Sequence, residues 1–392
     1  MAAESNHSEI LSDPFHILGL KLRVLIEVDN SDIRIGAVND MLDLCRYGRT
    51  ADVEFYLCGR VDKVLRSAAQ DVGFKVLRGA SRQISKRDIG LYIASVLRWM
   101  WVLKRLKTDI VHLNYVSWGA SLACAAKIIG IGVVSRSGGE YSTRNFSCRW
   151  VDCYVANCQA QAANLLNSPI KNKVKIVGDL INMDRFEVKL NEYPPLPSKS
   201  EGVPRLLFLG QLVERKGIDV LVRALAKMQT PAELLLVGGD WALDGYPLFV
   251  RQLIIELGIE HKVRILNHRQ DAINLLKSCD VFVLPSLSEA RPRSIIEAML
   301  IGKCVVATNV GGIPTLIQDG VTGQLVPPGN PQKLADALEK VCNSDEMRNR
   351  FGSAAKEFAL HMFNINLTVN NYLQVYQEII TMKSPRIKSK MY

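Results

Sequence analysis

Residues Leu284–Gly302 read LPSLSEARPRSIIEAMLIG, and this stretch decides the fold. Just before it, Val281–Leu284 (VFVL) is a short, fully apolar run of strand type, closed by Pro285. Ser286–Arg291 is polar loop. Pro292 suits the first turn of a helix, Ile295, Ile296, Met299 and Leu300 make an apolar helical face, and Gly302 supplies the stop. The order is strand, loop, helix. The loop lies at the carboxyl end of a parallel strand, where open α/β sheets bind ligands.

Two carboxylates fall in this stretch, Glu289 in the loop and Glu297 about one turn into the helix, with seven residues between them. The amides of Arg293, Ser294 and Ile295 point out of the helix start, where they and the helix dipole suit an anion. A carboxylate on each side of an anion site suits a ligand with hydroxyls at both ends and phosphate in the middle, such as a nucleotide sugar. In the other reading, Glu289 caps the helix region and Glu297 is a solvated face residue. Spacing alone leaves both open.

The text from Glu289 through AMLIGKCVVATNVGGIPTLIQDGVTGQLVPPGNPQKLADAL resembles the carboxyl-terminal half of the family 4 retaining glycosyltransferases. The family pattern E-G-F-G/P-x5-E-A-M-A is matched by Glu289, Pro292, Glu297, Ala298 and Met299. Ala290 stands for the usual glycine and Arg291 for the usual aromatic. The resemblance implies that Glu297 binds the nucleotide ribose hydroxyls. It implies that Glu289 and the amides after it hold donor sugar and diphosphate, with Arg291, Arg293, Ser294 and Ile295 around them. Upstream, the family's G-R-L-x-x-x-K-G corresponds to Gly210, Gln211, Leu212, Arg215, Lys216 and Gly217. Lys216 matches, Gln211 replaces the arginine, and Arg215 lies near enough in sequence to compensate. Two such cations would stabilise a leaving diphosphate without a metal. Gly238 in the loop after Glu233–Val237, and Asn267 after Val263–Leu266, complete the implied donor side, Asn267 next to the nucleobase.

The amino half matches less well, from about Lys21 onward. In its first loop, Asp29–Ala37, the family has a Gly-Gly pair touching donor phosphate and acceptor, and this chain has Gly36. After the strand Val133–Ser135, the family's histidine before glycine is replaced by Ser137, followed by Gly138, Gly139 and Glu140. Serine exchanges hydrogen bonds but carries no imidazolium charge. Asn182, Asp184 and Phe186 resemble the family's exit segment.

Totals set outer bounds. At 392 residues the chain accommodates two domains, and 48% hydrophobic with 22% charged residues is ordinary for a globular protein. A net charge of +10 admits anionic substrates, an anionic membrane surface or nucleic acid, but no nucleic-acid module is recognisable. The nine cysteines include no CxxC pair, which favours reduced thiols in a cytosol. The polar, acidic start MAAESNHSEILSDPF is unlike a secretory signal, and no uninterrupted apolar span is present.

Strand and helix patterns alternate in both halves. The expectation is α/β, two facing doubly wound Rossmann-like domains (GT-B) with a cleft between them. Residues 1–20 form a leader, 21–190 the acceptor-side domain, 191–204 a linker, and 205–365 the nucleotide-sugar domain. Residues 366–392 form a terminal helix that returns to the first domain, plus a basic tail. Segment Lys75–Lys107 carries nine basic residues and one acid. Within it, Ile89, Tyr92, Ile93, Val96, Met100 and Leu103 follow helical spacing and predict the core face, with Arg98, Arg105 and Trp101 opposite. Such a helix lies on an anionic bilayer, or it packs its apolar face and solvates the basic one. His112, near the end of the strand Asp109–Leu113, reads as structural.

No Asp-x-Asp occurs in the chain, so no metal or other cofactor is expected and the nucleotide sugar is the co-substrate. The expected activity is transfer of a hexose-type sugar to a hydroxyl of a glycan or lipid-linked glycan in surface-polysaccharide or lipopolysaccharide synthesis, at the inner face of the membrane. Two rivals stand beside it. One is a nucleotide-sugar epimerase or phosphorylase on a similar scaffold. The other is a non-catalytic nucleotide-sugar-binding partner, suggested by Gln211 and Ser137.

Overall fold

Short aliphatic runs such as VFVL and LLFL (206–209), apolar on both faces, belong in parallel sheets covered on both sides by helices. The structure, a computed structural model, has two of these. It describes residues 21–28, 36–50, 52–59, 61, 63–71, 73–79, 88–114, 119–136, 149–183, 194–239, 245–269 and 271–383. The leader 1–20, the basic tail, Asp184, Phe186, and the loop holding Ser137, Gly138, Gly139 and Glu140 lie outside the described residues.

The chain divides into two compact units. The first comprises Met1–Asn157, Ala162–Leu180 and Ile365–Tyr392. The second comprises Cys158–Gln161 and Ile181–Asn364.

In the first unit seven strands form one sheet: β1 (Leu22–Val28), β2 (Val53–Gly59), β3 (Lys75–Val76), β4 (Ile110–Leu113), β5 (Gly132–Arg136), β6 (Cys153–Ala156) and β7 (Val174–Ile176). Their order is β3-β2-β1-β4-β5-β6-β7, and each pairing is parallel. The order reverses between β1 and β4. The helices are α1 (Gly36–Gly48), α2 (Lys63–Asp71), α3 (Ile89–Leu106), α4 (Ala120–Ile128) and α5 (Gln159–Leu166). Gly36 therefore opens α1 instead of lying in the preceding loop. The mostly apolar run from Trp150 to Ala156 suggests a strand, but the strand begins only at Cys153, because Arg149 and Trp150 form a 3-10 turn.

In the second unit six strands form a sheet: β8 (Arg205–Leu209), β9 (Glu233–Val237), β10 (Val263–Leu266), β11 (Val281–Leu284), β12 (Cys304–Thr308) and β13 (Gln324–Val326). The order is β10-β9-β8-β11-β12-β13, again parallel throughout. The helices are α6 (Ile218–Lys227), α7 (Tyr246–Glu256), α8 (Ala272–Ser278), α9 (Arg293–Ile301), α10 (Pro331–Cys342) and α11 (Asp345–Met362). The sequence reading passed over α6 and α11. In α6, IDVLVRALAK begins with β-branched residues that mimic a strand, yet Ile218, Leu221, Val222 and Leu225 line one buried helical face. In α11 the start is marked by Ser344, whose side chain accepts from the Met347 amide in the manner of an N-cap.

The last helix, α12 (Ile365–Lys383), belongs to the first unit. Its Val369, Tyr372, Leu373, Val375, Tyr376 and Ile379 are buried with residues of β1, β2 and α1. Asn371 Nδ2 donates to the Val177 carbonyl at 3.0 Å, and Thr368 Oγ1 donates to the Asp179 carbonyl at 3.1 Å. Between those two carbonyls Gly178 sits at φ +97°, where a Cβ would come within 2.9 Å of Thr368 Oγ1.

Helix α3 overturns part of the expected core face. Tyr92, Val96, Trp99 and Leu103 are the buried residues, whereas Ile89 and Ile93 are more than half exposed. The helix is apolar almost all round, so periodicity leaves its rotation ambiguous. Packing against α4 resolves it: Tyr92 Oη donates to the Ala120 carbonyl at 3.3 Å, and Ser95 Oγ and Ser121 Oγ share a bond of 2.9 Å.

His112 is fully buried. Its Nδ1 bonds Tyr376 Oη at 2.6 Å and its ring stacks on Tyr372, while Nε2 has no partner among the described residues. Arg136 and Asp40 form a buried ion pair nearby in the fold, at 2.6 Å. Burial, with the Arg136 charge adding to it, pulls the His112 pKa from 6.5 down to about 3. The eight described cysteines are free thiols. No helix among the described residues is long and apolar enough to cross a membrane.

The depressed His112 pKa has a sign. The folded imidazole stays neutral while the unfolded one takes up a proton below 6.5, so stability falls as pH drops from 6.5 toward 3. Wild type should lose up to about 1.4 kcal/mol per pH unit more than His112→Gln over that window. Chemical denaturation at a series of pH values checks this; parallel curves would refute it.

Candidate functional site

The strand order of the second sheet reverses between β8 and β11, which pair through Leu206–Val281 and Leu207–Phe282. A crevice forms at the carboxyl ends of two such strands because their following connections leave in opposite directions. The loops there are Gly210–Gly217 and Pro285–Pro292. Backbone contacts knit them together. The Leu287 amide donates to the Arg215 carbonyl at 2.8 Å. Gly217, at φ +64°, leaves room where a Cβ would lie 2.2 Å from the Pro285 carbonyl oxygen.

This weave brings Lys216 against Glu289. The ammonium is hydrogen-bonded to Glu289 Oε1, and both side chains are nearly buried, at 12% and 7% exposure. Ser286 Oγ donates to the same carboxylate oxygen at 2.9 Å. Ser286 is itself buried, and its carbonyl accepts from Thr308 Oγ1 at 2.5 Å, at the end of β12. Burial holds the Lys216 ammonium below the usual lysine value, and the Glu289 carboxylate opposes that shift. The sequence reading named Lys216 and Glu289 but missed Ser286 and Thr308. Small hydroxyl residues at strand ends have no distinctive pattern.

A third loop, after β12, supports the second. A Cβ on Gly311 would lie 1.6 Å from the Glu289 carbonyl oxygen, and one on Gly312 would lie 2.1 Å from that of Ala290. Gly311 also sits at φ +54°. The Gly-Gly pair of NVGGIP therefore lets one loop pass directly against the backbone that carries Glu289. Gly238 serves in the same way after β9, where a Cβ would meet the Gly210 carbonyl oxygen at 1.8 Å. The Gly210 amide donates to the Val237 carbonyl at 3.1 Å.

Helix α9 begins at Arg293, one residue later than the expected first-turn proline. Pro292 is the N-cap, at φ −75° and ψ 117°, and no side chain caps the helix there. Its first-turn amides and dipole are set beside the Glu289 loop, which suits an anion. Ser294 is half-buried and Ile295 buried in that turn. Arg293 Nε donates to Glu297 Oε1 at 3.2 Å across one helical turn. The guanidinium expected at a diphosphate is thus shared with the carboxylate expected at a ribose.

The remaining residues fall into two groups. Gln211 and Arg215 come together, Arg215 Nη2 donating to Gln211 Oε1 at 2.7 Å. Arg291 instead bonds Thr315 Oγ1 at 2.7 Å and lies 5.6 Å above the Phe363 ring. Asn267 is exposed after β10, the edge strand two positions from β8. Gly36 belongs to the first unit, and Asn182 is buried. Among the described residues no group of three or more His, Cys, Asp or Glu could hold a metal ion.

Residues 192–358 match the family model of glycosyl transferases group 1. The D-inositol 3-phosphate glycosyltransferase of Corynebacterium efficiens is 32% identical over 243 residues, 59% of this chain and 57% of the relative. The chain thus aligns with little more than half the length of that relative. The protein of the same name from Saccharomonospora viridis is 30% identical over 305 residues, 69% of this chain and 70% of its own. The lipopolysaccharide core biosynthesis glycosyltransferase LpsE of Rhizobium meliloti is 27% identical over 237 residues, covering 60% of this chain and 67% of LpsE. Among solved structures, a glycosyltransferase from Rickettsia africae superposes with a TM-score of 0.80 at 22% identity, over 92% of this chain and 99% of that one. Anabaena HepE in complex with UDP and glucose does so at 0.73 and 20%, with the same coverage. These likenesses assign the GT-B fold.

Two outcomes follow from the packing. Gly311→Ala should lower stability by about 2 kcal/mol or more, because it adds a backbone clash to left-handed strain. Gly320→Ala, at φ +74° with nothing within 4 Å, bears the strain alone and should cost less. Thermal melts of the two variants check the difference. For the ion pair, Lys216→Met and Glu289→Gln should each destabilise by about 3 kcal/mol, since each strands a buried polar group. The double variant should cost well under the sum; additivity in denaturant titrations would show that the two side chains do not interact.

Proposed function

Because the chain belongs to the group 1 glycosyltransferases, we propose that it moves a hexose-type sugar from a nucleotide-diphosphate sugar to a hydroxyl of a glycan or lipid-linked glycan, retaining the anomeric configuration. The observation that carries this reading is the buried Lys216–Glu289 pair at the β8/β11 switch point, beside the start of α9.

The chemistry requires a place for charge. As the acceptor oxygen bonds to the anomeric carbon, the bond from that carbon to the diphosphate oxygen breaks and leaves its electron pair on phosphate. Lys216 and the first-turn amides of α9 meet the developing negative charge in a site largely shielded from water, where fixed charges and dipoles act strongly. The acceptor proton passes to the departing phosphate oxygen on the same face, so no base is needed. Glu289, held by Lys216 and Ser286, positions the sugar hydroxyls. Glu297 takes the ribose hydroxyls, sharing its carboxylate with Arg293. Arg215, brought onto Gln211, supplies a second cation where the family pattern has arginine. That contact weakens the case for a non-catalytic protein. Metal independence rests on the absence of Asp-x-Asp from the sequence.

The acceptor is assigned to the first unit, whose sheet ends in the buried polar residues Glu27, Asn114 and Arg136. The likeness to LpsE supports a lipid-linked acceptor in lipopolysaccharide or surface-polysaccharide synthesis, and with such an acceptor the enzyme would work at the cytoplasmic face of a membrane.

Thermal shift with UDP-, GDP- and ADP-sugars in EDTA tests the donor site. A ligand at a hundredfold its Kd adds about 2.7 kcal/mol to the native state. One nucleotide class should raise Tm in wild type and fail to do so in Glu297→Ala. An α-linked donor should then yield an α-linked product by NMR. A shift abolished by EDTA, or an inverted product, would overturn the metal-free retaining scheme.

A further inference from the structure

Helix α3 presents to solvent a row of large apolar side chains spaced four residues apart: Ile89, Ile93, Leu97 and Trp101, at 54%, 52%, 60% and 60% exposure. Scattered exposed apolar residues are ordinary on a protein surface, but a continuous stripe over about three turns is not. The opposite face is fully engaged, with Tyr92, Val96, Trp99 and Leu103 buried and α4 packed against the helix. The exposed stripe is therefore not left over from an incomplete core.

Beyond the Asp88 N-cap, the helix's own charges have one sign. Between Asp88 and Asp109 the sequence holds Arg98, Lys104, Arg105 and Lys107 and no acidic residue. Lys104 and Arg105 are exposed in the last turn, and the Arg105 guanidinium lies 5.1 Å from the Trp101 ring centre. Arg98 is exposed two turns before Arg105, with Nη2 donating to the Arg78 carbonyl at 2.6 Å. An aliphatic row ending in tryptophan, on a helix whose own charges are all cationic, has the make-up of a helix that lies in a membrane interface. The aliphatic side chains enter the acyl boundary, the indole sits at headgroup level, and the lysine and arginine stems carry their charges out to lipid phosphate.

We propose that the exposed face of α3 docks the protein onto an anionic lipid bilayer. The docking face serves the lipid-linked acceptor proposed above and rests on that reading for its purpose. It lies on the acceptor-side unit, whereas the Lys216–Glu289 site belongs to the second. Occupancy of the two can be measured separately.

The test is co-sedimentation of the full chain with vesicles of phosphatidylcholine alone and of phosphatidylcholine with phosphatidylglycerol, at low and high salt. Wild type should pellet with the anionic vesicles and be released by salt, which screens the basic residues. Lys104→Glu and Arg105→Glu should each weaken partitioning at least fivefold, since each cation near the surface contributes about 1 kcal/mol. Leu97→Asn with Trp101→Ser should weaken it at least tenfold and should remain weak at low salt, because the apolar insertion is lost. These side chains are exposed, so melts of the variants should match wild type. Nucleotide-sugar binding, measured by thermal shift, should be unchanged in all of them. Failure of donor binding in wild type would count against the transferase reading and leave the vesicle result standing. Wild type ignoring anionic vesicles at low salt would overturn the proposal. So would equal binding by wild type and the variants. A concentration-dependent dimer abolished by Leu97→Asn would assign the stripe to a second copy of this chain and also overturn it.

Discussion

A lysine ammonium and a glutamate carboxylate, both nearly out of water, meet where the strand order of the second sheet reverses. Neither charge is tolerable there alone, because desolvation of an unpaired ion costs several kcal/mol. The pair therefore requires the two loops that carry it to stay together. The surrounding structure meets that requirement with backbone contacts. Leu287 bonds Arg215, and Gly217 passes under Pro285, so the loops after β8 and β11 behave as one piece. Under the proposed function, the fixed glutamate with its serine, the lysine cation and the helix start would face the phosphorylated polyhydroxyl donor. Little reorganisation is needed when charge develops during the reaction.

Glycine is what makes such close weaving possible. At Gly238, Gly311 and Gly312 a methyl group would occupy the position of a neighbouring carbonyl oxygen. The loops after β8, β9, β11 and β12 can approach within backbone contact only because those positions lack a Cβ. Ser286 and Thr308 finish the arrangement with two short polar links from the end of β12 to the Glu289 carboxylate. The parallel sheet supplies rigid strand ends, and the glycines set the distance between the loops that leave them.

The first unit is built differently. Its α12 closes the core from the far end of the chain, and the buried His112 depends on that helix for its one hydrogen-bond partner, Tyr376. A neutral histidine is required there because burial and the Arg136 charge both resist protonation. On the surface of the same unit, α3 carries two apolar faces. One is used by the core, and the other faces solvent with basic neighbours.

The sequence alone determined the strands that matter most. VFVL, the VLI within LRVLIEV and the LLFL within RLLFL are apolar on consecutive residues, and burial on both faces accommodates that pattern. It also singled out Glu289 and Glu297 as candidates, because a loop-to-helix transition after such a strand confines polar groups to a few positions, while Lys216 was named through the resemblance to the family pattern. Other features were not legible, because each depends on contacts between residues distant in the chain. The rotation of α3 is one, since periodicity allows two apolar faces and packing on α4 selects between them. The pairing of Lys216 with Glu289 across 73 positions is another, as are the link from Thr308 to Ser286 and the turn of Arg291 onto Thr315 and Phe363. Helix α6 was hidden because β-branched residues suit both strand and helix, and only its neighbours decide. Local pattern specifies which segments are strands and helices, through backbone geometry and burial. Which side chains meet is specified by strand order and close packing, and those exist only once the chain has folded.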